Sequence, residues 1–247
     1  MERHGRPVVT LFSAGESFAE GANSSLGDEA ARHARVRRVE HGDAVRLIDG
    51  EGRVAVGAVV SMAKDDVTIA VERVMQMPRP QPLEVIVPVA DRDRMLLAAE
   101  KCVELQVTAW RPAYFARSRS VSPRGEGPKF HEKVRARMRS ALEQSGGTWM
   151  PEIAEEVDGV DALKNASQQL NRLLLDVDGA PLPGLVASVP IVVAVGPEGG
   201  FERTELDVAT ASGWRLASVA TTTLRFETAL IAAAAVIRAT QLNHRSS

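Results

Sequence analysis

The spacing of apolar residues changes rhythm near residue 77. Upstream, residues 43–48 and 53–60 alternate or carry β-branched side chains, and Asp49-Gly50-Glu51-Gly52 between them predicts a hairpin turn. Residues 67–74 predict another strand, and 28–38 carry a helical pattern. Downstream the pattern becomes strand (83–89), helix (92–105), strand (107–111), with Met95, Ala98, Ala99, Cys102 and Leu105 on one apolar helix face. A helix through 133–139, a second over 157–172, a strand at 173–177 and a turn at 178–183 follow. Residues 191–195, an unbroken apolar run between Pro190 and Gly196-Pro197, read as a fully buried parallel strand. A helix at 203–212, a short strand at 215–219 and a helix at 227–242 complete the chain. The expectation is a β-rich domain over 1–77 and an α/β domain with a parallel sheet over 78–247. Met77-Pro78-Arg79-Pro80-Gln81-Pro82 marks the boundary, because prolines at alternate positions favour extended chain.

Composition narrows the class. The chain has 247 residues, 45% of them apolar and 25% charged, and this is ordinary for a globular protein. A formal net charge of −2 gives no global argument for nucleic acid, so that argument rests on local clusters. One cysteine, Cys102, excludes an internal disulfide and reads as a core residue in a reducing, cytoplasmic setting. No apolar run approaches the ~20 residues that span a bilayer, so no membrane is expected. The five histidines, at 4, 33, 41, 131 and 244, show no metal-ligand spacing, and no metal is expected.

Two segments are strongly basic. Arg32, His33, Arg35, Arg37 and Arg38 crowd the first helical pattern. Residues 111–140 hold nine Lys or Arg against two Glu: Arg111, then Arg117, Arg119, Arg124 and Lys129 in a Pro/Gly/Ser-rich loop, then Lys133, Arg135, Arg137 and Arg139 on a helix. Each can be a solvated face. Each can also hold an RNA backbone, where every basic group releases counterions and makes binding salt-dependent. The candidate RNA contacts are Arg32, Arg35, Arg38, Arg117, Arg119, Arg124, Lys133 and Arg137.

The chemistry concentrates in VVAVGPEGGF, which closes the central strand, and in TLRFETA, which begins the last helix. In open α/β sheets ligands sit beyond strand C-termini, and Gly196, Gly199 and Gly200 would let backbone approach one. The glycines are not a Walker loop or a G-x-G-x-x-G fingerprint. In GPEGGF with the following Glu205, in LRFETA, and in Gly42-Asp43, Glu104-Leu105 and Glu143-Gln144-Ser145, nearly the whole chain resembles the ribosomal RNA small subunit methyltransferase E family. These are uridine-N3 enzymes of the knotted SPOUT superfamily.

The resemblance implies an N-terminal PUA-like β-barrel domain that binds RNA, and a C-terminal SPOUT trefoil-knot domain that binds S-adenosyl-L-methionine. It implies a homodimer, with the alanine-rich last helix suited to close packing, and ribosomal RNA of the small subunit as partner. Cofactor contacts fall on Val195, Gly196, Pro197, Gly199, Gly200, Val219 and Leu224. A uridine methylated at N3 must lose a proton, so a base and a cation are sought: Arg225 for the cation, Glu198 and Glu227 as bases or orienting groups. Glu227 and Thr228 can also serve only the helix N-terminus. The chain departs from the family pattern at Arg32, Gln106, Gly147, Ala220 and Thr222. These departures keep open an RNA-binding paralogue without turnover, or a different RNA target.

Overall fold

The computed structural model describes residues 9–13, 15, 18–120, 123–186 and 190–243, without the side chains of 119, 120 and 243. It divides into two compact units, one of residues up to Arg79 with Arg139–Met150, the other Pro80–Met138 with Pro151 onward.

The first unit is a five-stranded sheet over one helix. Strands β1 (Val9–Phe12), β2 (Asn23–Leu26), β3 (Ala44–Ile48), β4 (Arg53–Met62) and β5 (Val67–Gln76) lie in the order β1-β3-β4-β5-β2. Only the β1–β3 pair is parallel. Leu11, Phe18, Leu26, Leu47 and Ile69 fill the core with Ala30, Ala31 and Ala34 of α1 (Asp28–Val36). An alanine stripe at these spacings lets the helix lie close to the sheet, and it leaves Arg32 and Arg35 on the outer face. Residues 139–150 return to this unit. Glu143 accepts hydrogen bonds from the Phe12 N–H and from His33 Nδ1, both at 2.9 Å, and Trp149 Nε1 donates to the Pro78 carbonyl at 3.1 Å. The first unit therefore takes in residues 139–150 besides the chain up to Arg79.

The second unit is built on a parallel sheet. Its elements are β6 (Leu83–Pro88), α2 (Arg92–Glu104), β7 (Ala109–Tyr114), α3 (Pro128–Ser145), β8 (Glu152–Ile153), β9 (Val157–Asp158), α4 (Gly159–Asn165), β10 (Asn171–Pro181), β11 (Ile191–Ala194), α5 (Arg203–Ala211), β12 (Arg215–Ser218) and α6 (Phe226–Asn243). The order is β12-β10-β11-β6-β7-β8, with β9 also on β7. All four residues of β11 are buried, as the unbroken apolar run requires. Among the described residues no helix is long and apolar enough to cross a membrane.

Two expectations shift. The helix over 157–172 is only α4, because the Asp158 carboxylate accepts the Val160 N–H at 2.9 Å and starts the helix there, while Ala166 turns to extended backbone. Of the turn expected at 178–183, residues 178–181 belong to β10, and the chain turns in a single 3-10 turn at Leu182–Gly184. Pairing with β12 shifts register between Leu175 and Ala180, so Asp176-Val177-Asp178-Gly179 is a bulge inside the strand. A Cβ on Gly179 would stand 2.5 Å from the Ala217 nitrogen, so only glycine permits that approach.

Candidate active site

A cavity of about 370 Å³ opens beyond the C-terminal ends of β11 and β12 and beside the bulge of β10. Its wall is made by three stretches: the β10 bulge, residues 195–201, and residues 217–224 leading into α6. Val195, Gly196, Pro197, Gly199, Gly200, Val219 and Leu224, all expected at a cofactor, line it. The glycines serve the wall as much as its contents. Gly196 seats the Phe201 ring, whose atoms lie 3.0 Å from where its Cβ would be, and Phe201 meets Phe115 edge-on at 5.0 Å. Gly199 seats Arg117, whose Cδ would stand 2.9 Å from an added Cβ and whose guanidinium donates to the Gly199 carbonyl. Gly200 has φ +72°, the left-handed region that glycine fills without strain.

Glu205 holds this arrangement. The side chain is buried, and its two oxygens accept the Glu202 N–H at 2.7 Å and the Ala116 N–H at 2.8 Å. One carboxylate thus starts α5 and fixes the backbone just before Arg117.

The N-termini of α2 and α6 meet at Arg94, a residue that spacing alone does not single out. Asp91 caps α2, accepting the Arg94 N–H at 3.1 Å. The Arg94 guanidinium forms an ion pair with Glu198 of the glycine loop, and its Nε stands 3.9 Å from Glu227 Oε1. Glu198 is therefore an occupied carboxylate. The Glu227 side chain is only 9% exposed, and its Oε2 is buried with no hydrogen-bond partner among the described residues. An unmet acceptor in low dielectric is costly, and it favours an incoming N–H or O–H. Arg225 lies just before α6, exposed, and its guanidinium has no partner among the described residues; its carbonyl accepts the Ala229 N–H.

Two departures in these loops have definite geometry. Among the described residues only Arg38 and Gln106 have positive φ without being glycine, so Ala220 needs no left-handed backbone and alanine fits there. Gln106 does sit at φ 55°, closing α2 where glycine is usual, and Arg238 covers the helix end by donating to the Leu105 carbonyl at 3.1 Å and to the Gln106 carbonyl.

The expected RNA contacts separate into two sets. Arg32, Arg35 and Lys133 are exposed and carry no partner among the described residues. Arg117 is tied to Gly199, Arg124 pairs with Glu126 at 3.0 Å, and Arg137 pairs with Glu100 at 3.1 Å. Arg38 is exposed at the end of α1, and the side chain of Arg119 lies outside the described residues. No group of three His, Cys, Asp or Glu among the described residues could hold a metal ion.

Residues 77–238 match the RNA methyltransferase domain and residues 26–72 match the RNA methyltransferase PUA domain. The chain belongs to the RNA methyltransferase family. It is 28% identical over 216 residues to ribosomal RNA small subunit methyltransferase E of Synechocystis, covering 83% of this chain and 69% of the relative. The Mycobacterium tuberculosis protein of the same name is 28% identical over 218 residues, covering 82% and 80%. Among solved structures, ribosomal RNA small subunit methyltransferase E from Neisseria gonorrhoeae bound to S-adenosyl methionine superposes with TM-score 0.85 at 25% identity, covering 94% of this chain and 98% of that one. A Legionella pneumophila methyltransferase in complex with bound SAM shares the fold, with TM-score 0.82 at 22% identity over 95% and 98%. In this RNA methyltransferase the PUA match lies within the first unit, and the methyltransferase match covers most of the second unit together with residues 139–150 of the first.

Proposed function

We propose that this RNA methyltransferase uses S-adenosylmethionine to methylate N3 of a uridine in the RNA of the small ribosomal subunit. The observation that carries this reading is the unpartnered Glu227 Oε2 beside Arg94, whose other partner, Glu198, lines the cavity. The cavity fits the cofactor: its volume is that of a small-molecule site, its rim is exposed backbone of a glycine loop, and its floor is apolar. S-adenosylmethionine, when bound, supplies a methyl carbon on a sulfonium, so the protein's work is to place donor and acceptor.

Glu227 then accepts the uridine N3 proton, and Arg94 stands beside it with its Nε 3.9 Å from Oε1. Glu198 orients Arg94 from the cofactor loop. Arg225, with no partner of its own, faces the negative charge that the deprotonated base spreads onto its carbonyl oxygens, or grips a phosphate. Arg32, Arg35 and Lys133 hold the RNA backbone. We read the active form as a homodimer packed through α6, whose Leu242 is 63% exposed.

The test is incubation with small-subunit ribosomal RNA and methyl-labelled S-adenosylmethionine, followed by nucleoside mass spectrometry. Labelled 3-methyluridine at one position is expected. Label in another nucleoside would overturn the uridine assignment, and RNA bound without label would favour a non-catalytic paralogue.

A further inference from the structure

The cavity wall has a charge pattern that neither glycine loop accounts for. Of the described side chains lining it, only Asp176 and Glu198 are charged, and no lysine, arginine or histidine is among them. Glu198 is engaged by Arg94. Asp176 is not engaged by any cation among the described residues. Its Oδ1 accepts the Asp178 N–H at 2.9 Å, a bond that closes the β10 bulge, and Oδ2 has no partner among the described residues. The bulge is what brings it here. An uninterrupted strand would keep Asp176 in the sheet, whereas the register shift between Leu175 and Ala180 turns this stretch into the wall of the cavity.

We propose that Asp176 is a specificity-determining residue of the cofactor site: its carboxylate accepts the O–H or N–H donors of the methyl donor and fixes its polar part. This deepens the reading of the cavity as a cofactor site and rests on it. The chemistry follows from the wall. An adenine nucleoside with an amino-acid tail brings three kinds of donor, ribose hydroxyls, the adenine amino group and an ammonium, and a half-buried carboxylate with a free oxygen suits any of them. A wall with a carboxylate and no cation also favours a cationic ligand over an anionic one.

Asp176→Asn isolates the effect, because the amide oxygen can still accept the Asp178 N–H while the charge and the second acceptor oxygen are lost. Calorimetric titration of wild type and variant with S-adenosylmethionine, S-adenosylhomocysteine and 5′-methylthioadenosine separates the sources. The variant is expected to lose about tenfold or more in affinity. Loss for all three places the carboxylate on the ribose hydroxyls or the adenine amino group that they share. Loss for the first two alone places it on the ammonium, whereas loss confined to S-adenosylmethionine places it near the sulfonium and overturns its role as a hydrogen-bond acceptor. Wild-type affinity of the variant for every ligand overturns the role of Asp176 and leaves the cavity assignment standing. Failure of folded wild type to bind any of the three overturns both.

Discussion

The arginines around the cavity and the arginines of α1 are used in opposite ways. In the methyltransferase domain Arg94 and Arg117 spend their guanidinium groups on Glu198, Glu227 and the Gly199 carbonyl, whereas Arg32 and Arg35 of the PUA domain extend from α1 with no partner among the described residues. A cation already bound to a carboxylate or carbonyl shapes the site that holds it. A cation with no partner is available to a phosphate. Charge patterns along the chain cannot make this distinction, and partners in the fold can.

Loss of the Arg94 ion pairs should cost the enzyme most. Arg94→Ala leaves Glu227 buried without its cation, and turnover should fall by roughly a hundredfold. RNA affinity and its salt slope should stay at wild type, as measured by filter binding across a salt series. On the free side, Arg32→Glu with Arg35→Glu should lower RNA affinity and reduce the salt slope by about 0.7 for each phosphate no longer neutralised, while S-adenosylmethionine affinity is unchanged. An unaltered slope would remove α1 from the RNA surface.

Smaller effects sharpen the account of the methyltransferase domain. Gln106→Gly relieves a left-handed backbone and should raise stability by about 1 kcal/mol in urea denaturation, provided Arg238 keeps its hydrogen bonds to the two carbonyls. Tyr114 gives the least. Burial, with the hydrogen bond to Glu126 and the nearby carboxylates, pushes its phenol up to about 12, against about 10 in an unfolded chain. The folded state holds this proton more firmly, so the contribution is complete below about pH 10 and is lost as pH rises through about 12. Tyr114→Phe should remove that part of the alkaline fall in melting temperature.

Much of the fold was legible because it is written in local patterns. The buried strand β11, the alanine stripe beneath the arginines of α1, and the proline-rich boundary each follow from neighbours in the chain. The glycine loop and the start of α6 were legible as motifs. What was hidden depends on long-range pairing. Asp176-Val177-Asp178-Gly179 looks like the end of a strand until β12 is seen to continue the ladder past it. Arg94 stands in Arg92-Asp93-Arg94 with no spacing to mark it, and only the fold brings Glu198 and Glu227 to it. Residues 139–150 carry no composition shift to announce their return to the first unit. For Arg117 the sequence predicted RNA contact, and the structure adds a contact with the glycine loop.

The most direct measurement is calorimetric titration of S-adenosylmethionine into wild type and into Gly199→Val, with circular dichroism to show that both are folded. The added side chain must displace Arg117 from the loop. Saturable binding at one site per chain, abolished or weakened at least tenfold in the variant, is the predicted result. Absence of binding to folded wild type, or equal binding by both proteins, would contradict the assignment of this cavity to the methyl donor.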